Sequence, residues 1–497
     1  MKKSQVQHKI KNIRVNLLRF YEPQGMKKSQ NLLQNRNKQV ARIHFIGIGG
    51  IGMSALAKFY LAQKANISGS DLELSEITEE LEKMGVKIYT GPHKESNVPK
   101  NANLIIYNAA IKKDNPELVA AKNYKLPPRA DSPLAEKAKS YAEAIGELTK
   151  KYYTIAVSGA HGKSTTTAMI AKIITDAGLD PTVIIGTKVK EFDNSNFRKG
   201  NSKYFIIEAD EYAGSFLNYR PDIAVITNID KEHLDFYKNE DRIKKAFKKF
   251  MLNVKPDGFL VLNNDNKNVL KLGLSLAKLK RFQNKIKWFS LRNKTVEKIK
   301  NILQIPGAHN VSNALAASRV GEILNIPQEN ILKSVSEYGG VWRRFEYKGN
   351  ANGAKVFDDY AHHPTEIKAT LKAARGCFPN SRIWCVFQPH QRERLSILFN
   401  EFVSSFDSVN EVVILEPFEV SGRENMRFAH RGHTQEHMQK YTAFNLAQKI
   451  DSRMKNNVYY ISYKSELVDF LKKYTAWGDV VIMMGAGDIW KITKELI

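Results

Sequence analysis

The chain has only two cysteines, Cys377 and Cys385, among its 497 residues. Two thiols cannot build a disulfide framework, and this low content suits a reducing compartment, so we expect a cytoplasmic protein. The sequence also lacks any apolar run near the roughly 20 residues that span a bilayer, so membrane insertion is not expected. A hydrophobic fraction of 42% is instead typical of globular domains with packed cores.

Acidic residues are in short supply. There are 51 Asp and Glu against 77 Lys and Arg, which gives a formal net charge of +26. Such a charge attracts nucleic acids, acidic membranes and small anions alike, so it does not identify a partner. No RNA-binding motif accompanies the charge, and we expect no nucleic-acid partner.

Residues 1–38 carry ten Lys or Arg and a single acid, Glu22. This segment also lacks the apolar stretch of a secretory signal, so we expect a basic, disordered tail. The string MKKSQ occurs at residues 1–5 and again at 26–30, which leaves open whether Met26 is the true start.

The rest of the chain repeats one pattern. Short β-branched runs end in Gly, acidic or His residues and are followed by helical stretches, which predicts an α/β protein with mainly parallel sheets. The length favours three domains, and the pattern places them at residues 39–147, 148–340 and 341–497. In such sheets ligands bind at the carboxyl ends of the strands.

The first domain begins with the segment ARIHFIGIGGIGMSALAKFY. Gly47, Gly49 and Gly52 form a GxGxxG loop, which lets backbone N–H groups and a helix N-terminus approach a diphosphate. Asp71 follows the glycine loop at about the sequence spacing of the acid that binds a nucleotide ribose in such domains. Taken alone, this pattern favours NAD over other diphosphate ligands.

The second domain begins with the segment YYTIAVSGAHGKSTTT. Gly159, Gly162, Lys163 and Ser164 resemble the end of a phosphate loop, in which backbone amides hold phosphates, the lysine neutralises them and the hydroxyl binds Mg²⁺. The spacing is irregular, because Val157 stands where the standard loop begins with glycine.

Two later strands of this domain end in acids. Glu208, Asp210 and Glu211 follow the first, and Asp230, Glu232 and His233 follow the second. Oxygen ligands of this kind suit Mg²⁺.

The third domain also has polar groups after apolar runs. Tyr360, His362, His390 and Arg394 can together hold a small zwitterion, because a guanidinium matches a carboxylate. Zinc is an alternative for the paired histidines, but no cysteine and no HxxxH spacing supports it.

This order of motifs resembles the Mur ligase family over about residues 40–497. HFIGIGGIGMSALA and SGSD are similar to that family's UDP-sugar-binding domain, so the resemblance replaces NAD by a UDP-sugar. It implies that one set of residues binds this ligand: Gly47, Gly49, Gly52, Met53, Asp71, Asn108 and Arg129.

GAHGKSTTT resembles the family's shortened phosphate loop. IPGAHNVSNALAA, VWRRFE and DDYAHHPTE are also similar to family segments. The resemblance implies that ATP is bound by Gly159, Ala160, His161, Gly162, Lys163, Ser164, Thr165, Asn310, Asn313, Arg343 and Asp359. It implies that Ser164, Glu208 and His233 bind the metal.

For the amino acid, the resemblance implies binding by Tyr360, His362 and Arg394. The resemblance also implies that five residues are catalytic: Lys163, Glu208, His233, His362 and Arg394. One departure is FQPHQRERL, where alanine-adding members read FQPHxxxRT, so Arg394 is kept but Leu395 replaces a threonine.

The implied activity is the ATP- and Mg²⁺-dependent joining of L-alanine to the lactyl carboxylate of UDP-N-acetylmuramate, through an acyl phosphate, in peptidoglycan synthesis. The expected assembly is a monomer or a homodimer. Two alternatives remain open. One is a ligase that attaches a ready-made peptide to the same UDP-sugar during recycling, and the other is a non-enzymatic nucleotide-binding module.

Overall fold

The computed structural model describes residues 40–123, 138–419, 440–454 and 457–497. The predicted tail at residues 1–38 and the predicted UDP-sugar residue Arg129 lie outside the described residues. The described chain forms three successive α/β units, each with a mainly parallel sheet flanked by helices, as the sequence pattern predicts. Among the described residues, no helix is long and apolar enough to cross a membrane.

The first sheet has the strand order β3-β2-β1-β4-β5, and its strands are all parallel. The chain leaves the central strand β1 through the glycine loop and enters α1. The strands are β1 (Arg42–Ile46), β2 (Asn66–Asp71), β3 (Lys87–Thr90), β4 (Leu104–Tyr107) and β5 (Ala138–Ser140), and the helices are α1 (Ile51–Ala62), α2 (Glu76–Lys83), α3 (Pro116–Asn123) and α4 (Tyr141–Lys151).

The second sheet has the order β12-β11-β10-β6-β9-β7-β8, with only β8 antiparallel among these strands. Its strands are β6 (Tyr153–Ser158), β7 (Thr182–Val189), β8 (Ser195–Arg198), β9 (Tyr204–Glu208), β10 (Ile223–Ile226), β11 (Phe259–Asn263) and β12 (Ile286–Phe289). Its helices are α5 (Lys163–Asp176), α6 (Leu234–Tyr237), α7 (Glu240–Leu252), α8 (Lys267–Ala277), α9 (Val296–Ile302), α10 (Ala308–Ile323) and α11 (Gln328–Ser336). Because β6 lies between β9 and β10, the phosphate loop that follows β6 emerges between the two acid-bearing strand ends.

The third sheet has the order β13-β14-β18-β15-β16-β17, with β13 antiparallel to β14. Its strands are β13 (Glu346–Ala351), β14 (Ala354–Asp359), β15 (Ile383–Phe387), β16 (Glu411–Leu415), β17 (Val458–Ile461) and β18 (Val480–Met484). Its helices are α12 (Pro364–Cys377), α13 (Arg392–Ile397), α14 (Phe399–Val403), α15 (Ala443–Met454), α16 (Leu467–Tyr474) and α17 (Ile489–Leu496).

The first two units share a hydrophobic core. A single cluster of buried side chains runs from Phe45 and Phe59 of the first unit to Phe205 of the second. The buried amine of Lys58 adds a hydrogen bond of 3.0 Å to the Asn196 side chain on β8. The third unit has clusters of its own. The predicted division at residues 147–148 falls inside α4, and that at 340–341 falls in the loop between α11 and β13.

Two helical glycines offer a matched test of this packing. A Cβ added at Gly146, in α4, would lie 2.7 Å from the backbone oxygen of Asn218, whereas one added at Gly376, in α12, would meet nothing within 4 Å. We expect Gly146→Ala to lower the free energy of unfolding by about 1–3 kcal/mol through overpacking. Gly376→Ala should leave it unchanged or raise it by up to about 1 kcal/mol, because alanine favours a helix. Calorimetric unfolding compares the two variants, and equal shifts would contradict the packing described.

Candidate active site

The carboxyl ends of the three sheets open onto one cleft of about 770 Å³. Its walls come from all three units, and the predicted site residues among them are Gly52, Met53, Asn108, Ala160, Gly162, Lys163, Ser164, Glu208, His233, Tyr360, His362 and Arg394. A second cavity of about 390 Å³ lies between the central and third units. Gly162, Ser164, Arg344 and Glu366 line both cavities, so the phosphate loop stands where the two meet.

The glycine loop of the first unit is held by its own neighbours. The Gly47 amide donates to the Ser70 carbonyl at 2.9 Å, and the Gly49 amide donates to the Asp71 carboxylate at 2.8 Å. These three predicted UDP-sugar residues, Gly47, Gly49 and Asp71, therefore shape the loop from behind the cleft.

Gly52 and Met53 line the cleft, and so does Asn108, whose side chain lies beside the glycine loop. A Cβ added at Gly52 would lie 3.0 Å from the Tyr141 ring. Tyr141 also lines the cleft, between the glycine loop and the acids of the central sheet, and nearby Glu208 and Asp210 add to the effect of burial in raising its pKa above the usual range.

The phosphate loop requires glycine at two positions. Gly159 has φ +141°, and a Cβ there would lie 2.0 Å from Thr227 Oγ1. Gly162 has φ +81°, and a Cβ there would lie 2.5 Å from Asn313 Oδ1. With these side chains absent, backbone N–H groups at the start of α5 are accessible to an anion, and the helix dipole favours its negative charge. The loop therefore fits a phosphate group.

Lys163 directs its amine into this loop. Nζ donates to the Gly159 carbonyl at 2.8 Å and to the Glu211 carboxylate at 3.0 Å, and Asp210 lies 3.9 Å away. Burial disfavours the charged amine, but the carboxylates of Glu211, Asp210 and Glu208 outweigh burial and raise the pKa of Lys163 above its usual range. The amine is therefore protonated and suited to neutralising a phosphate.

The three predicted metal ligands fall into two adjacent groups. The Ser164 hydroxyl donates to the Glu208 carboxylate at 3.0 Å, and the Gly186 amide donates to the same group at 2.9 Å. His233 instead faces Glu211, with 3.7 Å from Nε2 to Oε1. The ligand atoms of Asp210, Glu211 and His233 all lie within 4.8 Å of one another. Hydroxyl and carboxylate oxygens dominate this set, so it fits Mg²⁺ beside the phosphate loop.

The second cavity is lined by seven of the eleven predicted ATP residues; Gly159, Ala160, Lys163 and Arg343 do not line it. Asn310 and Asn313 lie in the first turns of α10, and the Asn310 amide donates to the Pro306 carbonyl at 2.7 Å. Asp359 is buried and accepts hydrogen bonds from the backbone of Phe345 and of Ala361, each at 2.8 Å. The predicted lining residues are His161, Gly162, Ser164, Thr165, Asn310, Asn313 and Asp359.

His161, in the phosphate loop, links the central and third units. Its two ring nitrogens lie 3.3 Å from the carboxylates of Asp230 and Glu366, respectively. Burial disfavours the charged ring, but these two acids outweigh burial and raise the pKa of His161 to about 9. The Thr365 hydroxyl adds a hydrogen bond of 3.0 Å to Asp230 across the same boundary.

His161, Asp230 and His363 are also close enough to hold a cation. However, the backbone amide of Thr365 donates to His363 Nδ1 at 3.3 Å, so in the neutral ring the proton lies on Nε2. The Nε2 atom is the one that would face a metal, and it has no free lone pair in this tautomer. The geometry therefore does not favour the zinc alternative.

The predicted amino-acid residues lie together at the third-unit wall. Arg394 donates to the Glu232 carboxylate at 3.1 Å and lies 3.1 Å from His390 Nδ1. His362 and Tyr360 meet edge to face, with ring centroids 5.5 Å apart. Leu395 points away from the cleft into the core, so the replacement of threonine there changes no cleft wall.

Burial and neighbouring charges fix the protonation of this wall. Burial opposes ionisation of Glu232, but Arg394 and the nearby histidines outweigh burial and lower the pKa of Glu232 to about 2. Burial and the Arg394 charge lower the pKa of His362 to about 4. At neutral pH the cleft thus presents a carboxylate, a guanidinium and a neutral imidazole.

Arg343 is the predicted ATP residue that does not join the others. Its side chain is buried in the third unit, where it donates to Asp358 at 3.3 Å and to the carbonyls of Gly485 and Gly487. The neighbouring Arg344 lines both cavities instead. The sequence offers two adjacent arginines, and the left-handed backbone at Arg343, with φ +56°, decides which one faces the cleft.

Glu366 is a central residue of this region that sequence reasoning missed. Its carboxylate lies 3.3 Å from His161, 3.3 Å from His362 and 3.4 Å from Arg344. These partners outweigh burial and lower its pKa well below the usual range. Its place in the first turn of α12 suggests an ordinary helix-dipole acid, which is why the local sequence does not mark it.

Comparison with known proteins supports a common family along the chain. Three family models match: "Mur ligase family, catalytic domain" over residues 42–153, "Mur ligase middle domain" over 157–321 and "Mur ligase, glutamate ligase domain" over 343–487. A UDP-N-acetylmuramate–L-alanine ligase of Acetivibrio thermocellus is 41% identical over 481 residues, covering 92% of this chain and 95% of that protein. The enzyme of the same name from Geobacter sp. strain M21 is 39% identical over 477 residues, covering 92% and 97%.

Solved structures agree with this relationship. A UDP-N-acetylmuramate-alanine ligase from Thermotoga maritima superposes with a TM-score of 0.72 at 26% identity, covering 92% of this chain and 98% of that one. A murein peptide ligase from Psychrobacter arcticus gives a TM-score of 0.62 at 22% identity, with the same coverage, and this likeness shows the fold alone. With matches that run through all three of its units, the chain belongs to the Mur ligase family.

Proposed function

We propose that this protein is the ATP-dependent ligase that joins L-alanine to the lactyl carboxylate of UDP-N-acetylmuramate in peptidoglycan synthesis. The proposal rests on one observation: the glycine loop, the phosphate loop and the wall that contains Arg394 and His362 come from three different sheets and meet in one cleft. The relatives that bear this activity in their names match the chain over nearly its whole length. We assign the UDP-sugar to the first unit, ATP to the second and the amino acid to the third.

The first chemical task is to make a carboxylate reactive. A carboxylate oxygen is a poor leaving group, so the lactyl carboxylate attacks the γ-phosphorus of ATP, forming an acyl phosphate and releasing ADP. Lys163 and the backbone amides of the phosphate loop bind the phosphates and stabilise the charge that develops on them. Ser164, Glu208 and His233 would hold Mg²⁺, with Glu211 as a further ligand, and the ion would neutralise phosphate charge.

The second task is amide formation. The neutral amine of L-alanine attacks the acyl carbon, and the tetrahedral intermediate expels inorganic phosphate while the nitrogen loses a proton. Arg394 binds the alanine carboxylate, and His362 and Tyr360 border the same pocket. Because three protein units enclose the cleft, they restrict the access of water to the acyl phosphate.

The alternatives have less support. In a recycling ligase the same wall would have to accept a peptide, and the likeness to a murein peptide ligase, at 22% identity, supports a common fold alone. A non-enzymatic module would not need the paired Lys163 and Glu211 beside the acids that follow β9. We place the reaction in the cytoplasm, which agrees with the two unpaired cysteines. A monomer or a homodimer remains our expectation for the assembly.

Phosphate release from ATP and Mg²⁺ tests the activity directly. Purified protein should release phosphate only when UDP-N-acetylmuramate and an amino acid are both present, and L-alanine should give the largest kcat/KM. Release with a preformed peptide but not with L-alanine would support the recycling ligase instead. Lack of release with either would remove the proposal.

Replacement of Lys163 should abolish the reaction. In Lys163→Ala the phosphates lose their buried cation, and removal of one such group typically costs 10²-fold or more in kcat. Lys172→Ala is the control, since Lys172 lies on the same helix and pairs with Asp176 away from the cleft. Retained activity in Lys163→Ala, with correct folding by circular dichroism, would contradict the assignment of the phosphate loop.

Phosphate release should require Mg²⁺, because the predicted ligands Ser164, Glu208 and His233 lie beside the phosphate loop. EDTA should stop phosphate release and added Mg²⁺ should restore it. Ser164→Ala should raise the Mg²⁺ concentration required for half-maximal activity by roughly tenfold, because one oxygen ligand is lost. Ser318→Ala serves as control, since that hydroxyl is bonded inside α10 to the Ala314 carbonyl. An unchanged Mg²⁺ requirement would show that Ser164 is not a ligand.

A further inference from the structure

The cleft contains an ion pair between two units of the protein. Glu232 follows β10 of the central unit, and Arg394 lies in α13 of the third. The guanidinium donates to Glu232 Oε1 at 3.1 Å, and both side chains line the cleft. In the proposed function Arg394 binds the carboxylate of the amino acid, so Glu232 stands where that carboxylate must arrive.

A second feature is an acceptor that faces Glu232. His362 Nδ1 lies 3.1 Å from the Tyr360 carbonyl and 3.3 Å from the Glu366 carboxylate, and both of these are acceptors. The ring proton of neutral His362 is therefore on Nδ1, and the Nε2 lone pair points outward. Nε2 lies 3.8 Å from Glu232 Oε1. Two acceptors thus face each other with no proton to share.

The remaining oxygen of Glu232 is also short of donors. Oε2 lies 3.8 Å from His363 Nε2, which is too far for a hydrogen bond. Among the residues that the structure describes, Arg394 provides the one side-chain hydrogen bond to this carboxylate. The Glu232 carboxylate lines the cleft, so a ligand can occupy its unfilled acceptor positions, and the facing lone pair of His362 favours a donor with several N–H groups.

We propose that Glu232, together with His362, binds the ammonium group of the incoming amino acid while the amino-acid carboxylate replaces Glu232 on Arg394. This inference rests on the proposed function and adds the residue that recognises the amine. An α-amino acid carries an ammonium and a carboxylate side by side, so it can insert into an existing carboxylate–guanidinium pair and satisfy both ends.

The placement of the pair on two units makes this exchange feasible. The central and third units have separate hydrophobic cores, so Glu232 and Arg394 can part through side-chain rotation or a shift between the units without a change inside either core. The zwitterion then restores the link between the units, with its ammonium on the central side and its carboxylate on the third. A ligand with a carboxylate alone would bind Arg394 but leave Glu232 displaced and unpaired.

The test uses binding as its readout, so it does not depend on turnover. L-alanine and propionate, which lacks the amine, are titrated by calorimetry onto the full-length protein with UDP-N-acetylmuramate, Mg²⁺ and a non-hydrolysable ATP analogue. In Glu232→Gln we expect alanine to bind roughly ten- to a hundredfold more weakly, because a charged hydrogen bond is lost. Propionate should bind at least about threefold more tightly, because Glu232 no longer competes for Arg394.

The opposite changes in affinity for alanine and propionate distinguish binding of the amine from other roles of Glu232. Weaker binding of both ligands would indicate that Glu232 only maintains the wall, and tighter binding of both would indicate that it only occupies the carboxylate site; either result overturns the proposal. Unchanged binding of both would also overturn it. Failure of the wild type to release phosphate with UDP-N-acetylmuramate and L-alanine would reject the proposed function separately, since the titrations report on the amine site alone.

A control carboxylate is available in the third unit, close to Arg394. Glu419 pairs with Arg392, two residues before Arg394, but both partners of that pair are exposed. Glu419→Gln removes the same charge near α13 without facing His362, and neither ligand should change its affinity by more than about twofold. Glu232→Asp keeps the charge on a shorter side chain and should recover part of the affinity for alanine.

Discussion

A charge that folding removes from water needs a partner, and this requirement organises the cleft. Lys163 is paired with Glu211, Arg394 with Glu232, and His161 with both Asp230 and Glu366. Each cation suits a negatively charged ligand group, and each is balanced by acids that follow parallel strands or begin a helix. Ligand binding in the proposed function is therefore an exchange of partners, with little new desolvation of the protein.

Features that depend on one short segment were predictable from the sequence. The strand, glycine turn and helix around Gly159 and Lys163 are contiguous, so this local order predicts a phosphate loop despite its irregular spacing. The meeting of Glu208 and His233 beside that loop was also predictable in outline, because strand ends of a parallel sheet share one edge. The finer grouping, in which Glu208 faces Ser164 and His233 faces Glu211, depends on strand order, which no local motif contains.

Features that depend on side-chain direction or on contact between units were not predictable. Arg343 and Arg344 are chemically identical in the sequence, and only the backbone at Arg343 separates a core residue from a cleft residue. One partner of Glu366 is His161, which lies more than 200 residues earlier in the sequence, so no local pattern indicates this contact. The division predicted at residues 147–148 falls inside α4 because this helix continues past Gly146 to Lys151, shortly before β6 begins.

The common core of the first two units has a mechanical consequence. The glycine loop and the phosphate loop are joined by one block of packed side chains, whereas polar links such as Thr365–Asp230 and Arg394–Glu232 connect that block to the third unit. Densely packed apolar interfaces resist shear, and hydrogen bonds between facing surfaces can reform after a rotation. The first two units thus form one rigid block, and the third unit is attached to it by polar contacts. In the proposed function, this shared core fixes the spacing between the UDP-sugar site and the ATP site, whereas the third unit, which carries Arg394 and His362, is free of that constraint.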